Sequence, residues 1–172
     1  MTQKKYELLK NDTITAPNGK TLYRIKALIN FDVVVAGSLG GYIEKEDNLA
    51  HSGNAWVSGN AWVFGNAEVF GNACVSDDAW VSGNARVSGD ALVSGNDDLV
   101  WFSNVGTEQG TLTVYKSKDD SLLATRGCFN GTVDEFLAKS AKVHDERIKR
   151  EYRLLIEVAK SRLLGESYVP TF

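Results

Sequence analysis

A six-residue period dominates the chain. Valine recurs without a break at Val57, Val63, Val69, Val75, Val81, Val87 and Val93, and an alanine stands two residues before each, from Ala55 to Ala91. Glycine opens the hexads at Gly53, Gly59, Gly65, Gly71, Gly83, Gly89 and Gly95, Asp77 alone breaks that column, and Asn or Asp always follows. A period of six fits neither 3.6 nor 3.5 residues per turn, and a glycine in almost every hexad is costly inside a helix, so helix is excluded. The hexad reads as a three-residue strand, Ala-x-Val, followed by a corner. Alternation puts Ala and Val on one side and residue x on the other. Glycine with Asn or Asp suits the corner, because these residues enter left-handed backbone at least cost. Short sides that turn this often wind into a solenoid around Val and Ala, each coil bonded to the next about 4.8 Å away.

Burying seven valines at roughly 1.5 kcal/mol each yields on the order of 10 kcal/mol, comparable with a domain's net stability before chain entropy is subtracted. The array therefore needs caps, and its open ends would otherwise invite strand pairing with other chains. The flanks can supply them. KYELL and TITA, a turn at Pro17, Asn18 and Gly19, and KTLYRIKALI form an N-terminal hairpin. Ile43 and Leu49 lie twelve and six residues before Ala55, so the first coil is expected near Gly41 with imperfect hexads, and His51 falls in the valine column. Past the array, TLTVYKS, a turn at Lys118, Asp119 and Asp120, and SLLATRGCF form a second hairpin. Thr132 and Glu135 make a capping box that opens one helix, and a second runs from about Glu146 to Leu164 and stops at Gly165. Its stripe of Ile148, Tyr152, Leu155, Ile156, Ala159 and Leu163 is expected to pack on the solenoid end, with Leu154 and Val158 outside it as candidate oligomer contacts. The divisions are 1–40 for the N-terminal cap, 41–100 for the repeat and 101–172 for the C-terminal hairpin and helices.

The 172 residues include no run near the roughly 20 apolar residues of a membrane helix, and MTQKKYELLK lacks the apolar stretch of a secretory signal, so a cytoplasmic protein without a membrane partner is expected. Two cysteines, Cys74 and Cys128, are too few for a disulfide framework or a structural zinc site. Residues 53–98 carry one Arg against six Asp or Glu, net −5, while each flank is +1. A phosphate-binding face should be basic, so nucleic acid is not the expected partner.

The pattern V-S-G-N-A-W resembles the hexapeptide repeat of left-handed parallel β-helix proteins. That resemblance implies a mainly β fold, a triangular prism with three hexads per coil and, here, about three coils standing roughly 15 Å tall. The left hand comes from the resemblance, since ordinary parallel connections are right-handed. With 18 residues per coil, outward positions stack in three columns: Trp56, Cys74 and Leu92; Trp62, Trp80 and Asp98, joined by Phe64; and Glu68 with Arg86. The aromatic and leucine positions Trp56, Trp62, Phe64, Trp80 and Leu92 are too apolar for a solvated wall and form the candidate binding face. The family's usual packing implies a homo-oligomer, with a trimer favoured.

Acyltransferases of this class place a catalytic histidine on a loop that interrupts the coils. The array from Gly53 to Asn96 has no such loop, which leaves His51 as a weak catalytic candidate, while His144 beside Asp145 suits a helix end. The γ-class carbonic anhydrases need three histidines on zinc and this chain has two, so no metal or cofactor is expected. Ice-binding β-helices carry ranks of outward threonine, and none occurs between Thr21 and Thr107. Over nearly its whole length, through LYRIKALINFDVVVAGSLGGYIEKEDNLAHSGNAWV, the hexads and RGCFNGTVDEFLAKSAKVH, the chain also resembles a group of short proteins encoded by bacteriophages and prophages. Three functions stand open at this point. The first is a non-enzymatic interaction module, an accessory protein that meets a host protein or small ligand, with blocking of a host defence as its extension. The others are a coenzyme A-dependent acyltransferase and a trap for a cyclic nucleotide or other small ligand at subunit boundaries.

Overall fold

The computed structural model describes residues 3–165 and residue 169. The chain opens with β1 (Tyr6–Thr15) and β2 (Thr21–Ala27), an antiparallel hairpin, and β2 pairs in turn with β3 (Leu39–Ile43). Seven strands of two residues follow: β4 (Trp56–Val57), β5 (Trp62–Val63), β6 (Glu68–Val69), β7 (Cys74–Val75), β8 (Trp80–Val81), β9 (Arg86–Val87) and β10 (Leu92–Val93). All seven valines and the alanines before them are buried in one core.

Pairing among these strands is parallel and advances by eighteen residues, as in Trp62 with Trp80, Glu68 with Arg86, and Trp56 with Cys74 and then Leu92. The result is three ladders: β3-β5-β8, β4-β7-β10 and β6-β9, the last preceded by a bridge from Leu49 to Val69. The first joins the N-terminal hairpin in a mixed five-stranded sheet. Ile43 faces Val63 and Leu49 faces Val69, twenty residues on, so two extra residues lie between Leu49 and Val57. Ile43 and Leu49 thus occupy the valine column, and His51 falls at the widened corner instead of in that column as the hexad count had it. The repeat tolerates the insertion there because a corner carries no inward side chain.

Each corner takes a left-handed residue. Gly71 has φ +67°, and a Cβ on it would lie 2.9 Å from the amide nitrogen of Gly89 in the next coil. Asp77, the exception in the glycine column, adopts the same conformation at φ 54°. Gly95 differs, with φ −160° and open space around it.

Both ends of the array are sealed by side chains that bond its orphan backbone groups. At the start, Lys5 Nζ donates to the Ala55 carbonyl at 2.6 Å, Asn48 Nδ2 to that of Ala67 at 2.8 Å, and the Tyr6 hydroxyl to that of Leu49 at 2.6 Å. At the far end lies an antiparallel sheet of β11 (Leu99–Val105), β12 (Gly110–Lys116), β13 (Leu122–Arg126) and β14 (Phe129–Thr132). Its solenoid-facing side chains finish the last coil. Thr113 Oγ1 accepts from Arg86 N at 3.0 Å, the Thr125 hydroxyl donates to Arg86 O at 2.7 Å, and the Tyr115 hydroxyl accepts from Ser88 N at 3.1 Å.

The alternate side chains Leu112, Val114, Leu122 and Ala124 point the other way and receive α1 (Val133–Val143) and α2 (Glu146–Leu164). The helices therefore pack mainly on this sheet and not on the solenoid end where the sequence placed them, which α2 meets only at its margin, beside Asn96–Asp98. The capping box of Thr132 and Glu135 starts α1, and α2 ends at Gly165 with φ 59°. No helix among the described residues is long and apolar enough to cross a membrane.

Gly71→Ala is expected to lower unfolding free energy by at least about 1–2 kcal/mol, because it combines a left-handed penalty with a tight backbone contact. Gly95→Ala should leave stability within about 0.5 kcal/mol. Urea midpoints of the two variants check the pair, and equal loss at both positions would refute the stacked corners.

Candidate functional site

The ladder β3-β5-β8 lines up Tyr42, Trp62 and Trp80 at successive outward positions. A parallel rung of about 4.8 Å suits ring stacking. The indoles of Trp62 and Trp80 lie 4.3 Å apart between centroids and 8° from parallel. Phe64 meets both edge-on, at 6.5 Å from Trp62 and 6.4 Å from Trp80. At the N-terminal end, the Arg24 guanidinium lies over the Tyr42 ring at 4.4 Å and is held by Asp12 at 2.8 Å, so a planar cation closes the column there.

The other end is open. β8 is the edge of its sheet. By the eighteen-residue advance Asp98 should follow Trp80, but residues Asn96–Asp98 form a 3₁₀ turn. The Asp98 carboxylate instead accepts from Ser94 N at 2.9 Å and pairs with Lys116 at 3.4 Å. Partial burial opposes its ionisation, yet the Ser94 hydrogen bonds and the Lys116 charge hold the carboxyl below its ordinary range. Asn96 Oδ1 takes the Trp80 N–H at 2.8 Å, replacing the carbonyl a further coil would have offered. Beyond Trp80 lies a cleft of about 340 Å³ lined by Trp80, Ser82, Asn96, Leu99, Val100, Trp101 and Arg162.

The five residues of the candidate binding face are not equivalent. Trp80 is 38% exposed and Leu92 39%, while Trp62 is half-buried beneath Trp80. Trp56 is buried: Phe31 crosses it edge-on at 5.3 Å and Tyr6 at 6.4 Å, so the N-terminal segment covers the start of that column. Phe64 is buried too, in a cluster with Ala16, Leu22 and Tyr42. Trp56 and Phe64 are thus corrected from binding face to core, because the hairpin pairs with β3 and brings its apolar side chains over them. Leu154 and Val158 stand on the exposed side of α2, at 55% and 52%.

Both ring nitrogens and one face of His51 are engaged. The backbone N–H of Lys5 donates to Nδ1 at 3.0 Å, which leaves the proton on Nε2, 3.0 Å from Glu46 Oε1. The imidazole stacks on Tyr6 at 4.2 Å. Partial burial of Glu46 works against its charge, but hydrogen bonds from His51 and Lys4 prevail and keep its carboxyl below the ordinary range. Burial, followed by the Glu46 and Asp47 charges, raises the Tyr6 phenol well above its usual value. Burial also pushes the Cys74 thiol up. No group of three or more His, Cys, Asp or Glu side chains among the described residues is placed to hold a metal.

The hexad columns did not single out Trp101 and Arg162. Trp101 was within reach of the periodicity, for it lies eighteen residues after Gly83, and its indole Nε1 sits 3.0 Å from where a Cβ on Gly83 would be. Arg162 had no such signal, since the tertiary placement of α2 alone brings it to the cleft. Nor did Lys5, whose burial beside Phe31 depends on the hairpin's docking.

Residues 79–95 match a family model described as the YdcK beta solenoid repeat. No curated protein matches the chain.

Trp56→Ala should cost about 3–5 kcal/mol, and Trp80→Ala no more than about 2 kcal/mol, read from urea unfolding; equal costs would place both indoles in the same environment. Lys5 generates a pH signature as well. Burial brings its ammonium down from 10.5 to about 8, so between those values the unfolded chain binds a proton that the folded one does not. Stability contributed by this group is therefore complete above the unfolded value and lost as pH falls through about 8. The stability difference between wild type and Lys5→Met is expected to widen by up to about 3 kcal/mol in favour of wild type across that window. A flat difference between pH 7.5 and pH 10.5 would contradict it.

Proposed function

We propose that the protein is a non-catalytic binding scaffold, a capped left-handed β-solenoid whose rigid wall presents an aromatic column to a partner. The observation that carries this reading is selective exposure. The chain buries Trp56 and Phe64 and half-buries Trp62, yet it ends the ladder so that Trp80 stands 38% exposed over a cleft. An indole left open on rigid backbone is a typical anchor for recognition, because little conformational entropy is lost when it is covered. The eighteen-residue advance of three parallel ladders supports a three-walled coil, and the left hand follows from the hexapeptide resemblance. The resemblance to phage-encoded proteins favours a host protein or host-made small molecule as what Trp80 meets. Self-association as a trimer, with Leu92, Leu154 and Val158 as exposed contacts, belongs to the same reading.

His51 weighs against acyl transfer. A general base needs a free lone pair within reach of the acceptor's proton. Here Nδ1 is occupied by the Lys5 amide and Nε2 carries the proton shared with Glu46.

Wild type, Trp80→Ser and His51→Ala, immobilised and passed over host lysate, test the reading, alongside an assay for coenzyme A release from acetyl-coenzyme A with amine and hydroxyl acceptors. The expected result is a specific partner retained by wild type and His51→Ala, lost by Trp80→Ser, with no coenzyme A released. Equal retention by Trp80→Ser, or acyl transfer that disappears in His51→Ala, would overturn it.

A further inference from the structure

We propose that the cleft beyond Trp80 is a binding slot for a planar aromatic anion, whose ring takes the rung that the chain leaves vacant and whose acidic group meets Arg162. The inference rests on the reading of the aromatic column as a binding face and names what the open end of that column takes.

The argument for a ring comes from the interrupted ladder. In the solenoid every outward residue but the last in a column has a neighbour one rung on, and Trp62 has Trp80 stacked on it at 4.3 Å. The neighbour due on Trp80 is Asp98, and its carboxylate is turned away to Ser94 and Lys116. The polypeptide returns immediately afterwards: Leu99, Val100 and Trp101 follow Val81, Ser82 and Gly83 by eighteen residues, and all three line the cleft with Trp80. What is missing is thus one planar layer, floored by an indole and bordered by a second. Stacking on an indole face favours aromatic rings over aliphatic groups of equal size. The cleft, at about 340 Å³, falls at the small end of ligand sites and accommodates a nucleobase or a bicyclic aromatic acid.

The argument for an anion comes from the rest of the lining. Among the described residues Arg162 is the one charged residue of the lining, and it makes no ion pair with any of them. A guanidinium offers a planar fork of donors suited to a carboxylate or phosphate. Asn96 has its Oδ1 engaged by the Trp80 amide, which leaves its NH₂ as a donor, and the Ser82 hydroxyl adds another. Donors and a positive charge at the rim of an aromatic slot repel cations and leave a neutral ring without its strongest contact. The N-terminal end of the same column shows the complementary arrangement, with the Arg24 guanidinium lying on the Tyr42 ring.

The test uses the whole protein and follows the indole N–H signals of its four tryptophans by ¹H–¹⁵N NMR during titration. The probes are AMP, indole-3-carboxylate, adenosine and ribose 5-phosphate. AMP or indole-3-carboxylate, or both, should shift Trp80 and Trp101 saturably while leaving Trp56 in place. Binding of AMP alone identifies a nucleotide as the source of the anion, and binding of the carboxylate alone an aryl acid. Adenosine should bind at least about tenfold more weakly than AMP where AMP binds, and ribose 5-phosphate should produce no shift. Arg162→Gln should weaken the bound anion about tenfold and remove its salt dependence, and Trp80→Leu should weaken it about tenfold or more with the fold retained.

Absence of saturable shifts with both anions, equal shifts at all four indoles, or unchanged affinity in Arg162→Gln would overturn the inference. If both anions fail while Trp80→Ser still loses its host partner, the slot falls and the scaffold reading stands. If that partner is indifferent to Trp80 as well, both fall.

Discussion

Everything in this molecule depends on the eighteen-residue advance that sets valine on valine and corner on corner. Strands of two residues have almost no stability of their own, and each is held because its backbone bonds to the coils on either side while its Ala and Val side chains fill a shared interior. The corners make the advance regular. They turn the chain with left-handed glycines, or with Asp77, and stack so closely that a methyl group at Gly71 would press on the amide of Gly89. A single defect in register would move alanine and valine out of the interior together. The chain accommodates one irregularity, two additional residues between Leu49 and Val57, at a corner where no inward side chain is displaced.

A regular stack must end, and its ends set the chemistry of this protein. Lys5, Tyr6 and Asn48 reach into the first coil and bond carbonyls that no preceding coil exists to meet, and His51 buttresses that assembly through the Lys5 amide. Placing a lysine among apolar rings costs solvation, which is why its ammonium is easier to deprotonate than an exposed one. At the other end Thr113, Tyr115 and Thr125 serve the same purpose from a separate antiparallel sheet, whose second face carries the helices. His51, the catalytic candidate of the sequence, is accordingly part of the seal.

The seal is incomplete along one wall only in the sense that matters for recognition. The Trp80 amide there is satisfied by Asn96, but the aromatic surface is not continued. One amide of the edge is thereby closed to another strand, while the indole stays available for a ring or an apolar side chain. The adjacent Trp101 and Arg162 turn that availability into a cleft with a definite charge.

The repeat, the inward Ala and Val columns, the hairpin at Pro17–Gly19, the capping box of Thr132 and Glu135 and the end of α2 at Gly165 were all legible in the chain. Each follows from a local rule, periodicity or turn chemistry, that acts over a few residues. β11 and β14 were not, because the turn joining β11 to β12 adds left-handed Asn104, Glu108 and Gln109 to Gly106, and β14 follows β13 after only Gly127 and Cys128. The outward residues were legible as a pattern but not as a surface. Trp56, Trp62 and Trp80 occupy equivalent hexad positions, and nothing local distinguishes the one covered by Phe31 and Tyr6 from the one half-covered by its neighbour and the one left open. The sequence by itself determined which residues face inward, since alternation along the backbone is a property of neighbours. Only the tertiary structure decided which outward residues meet solvent and that Arg162 meets Trp80, because burial and charge proximity depend on segments tens of residues away.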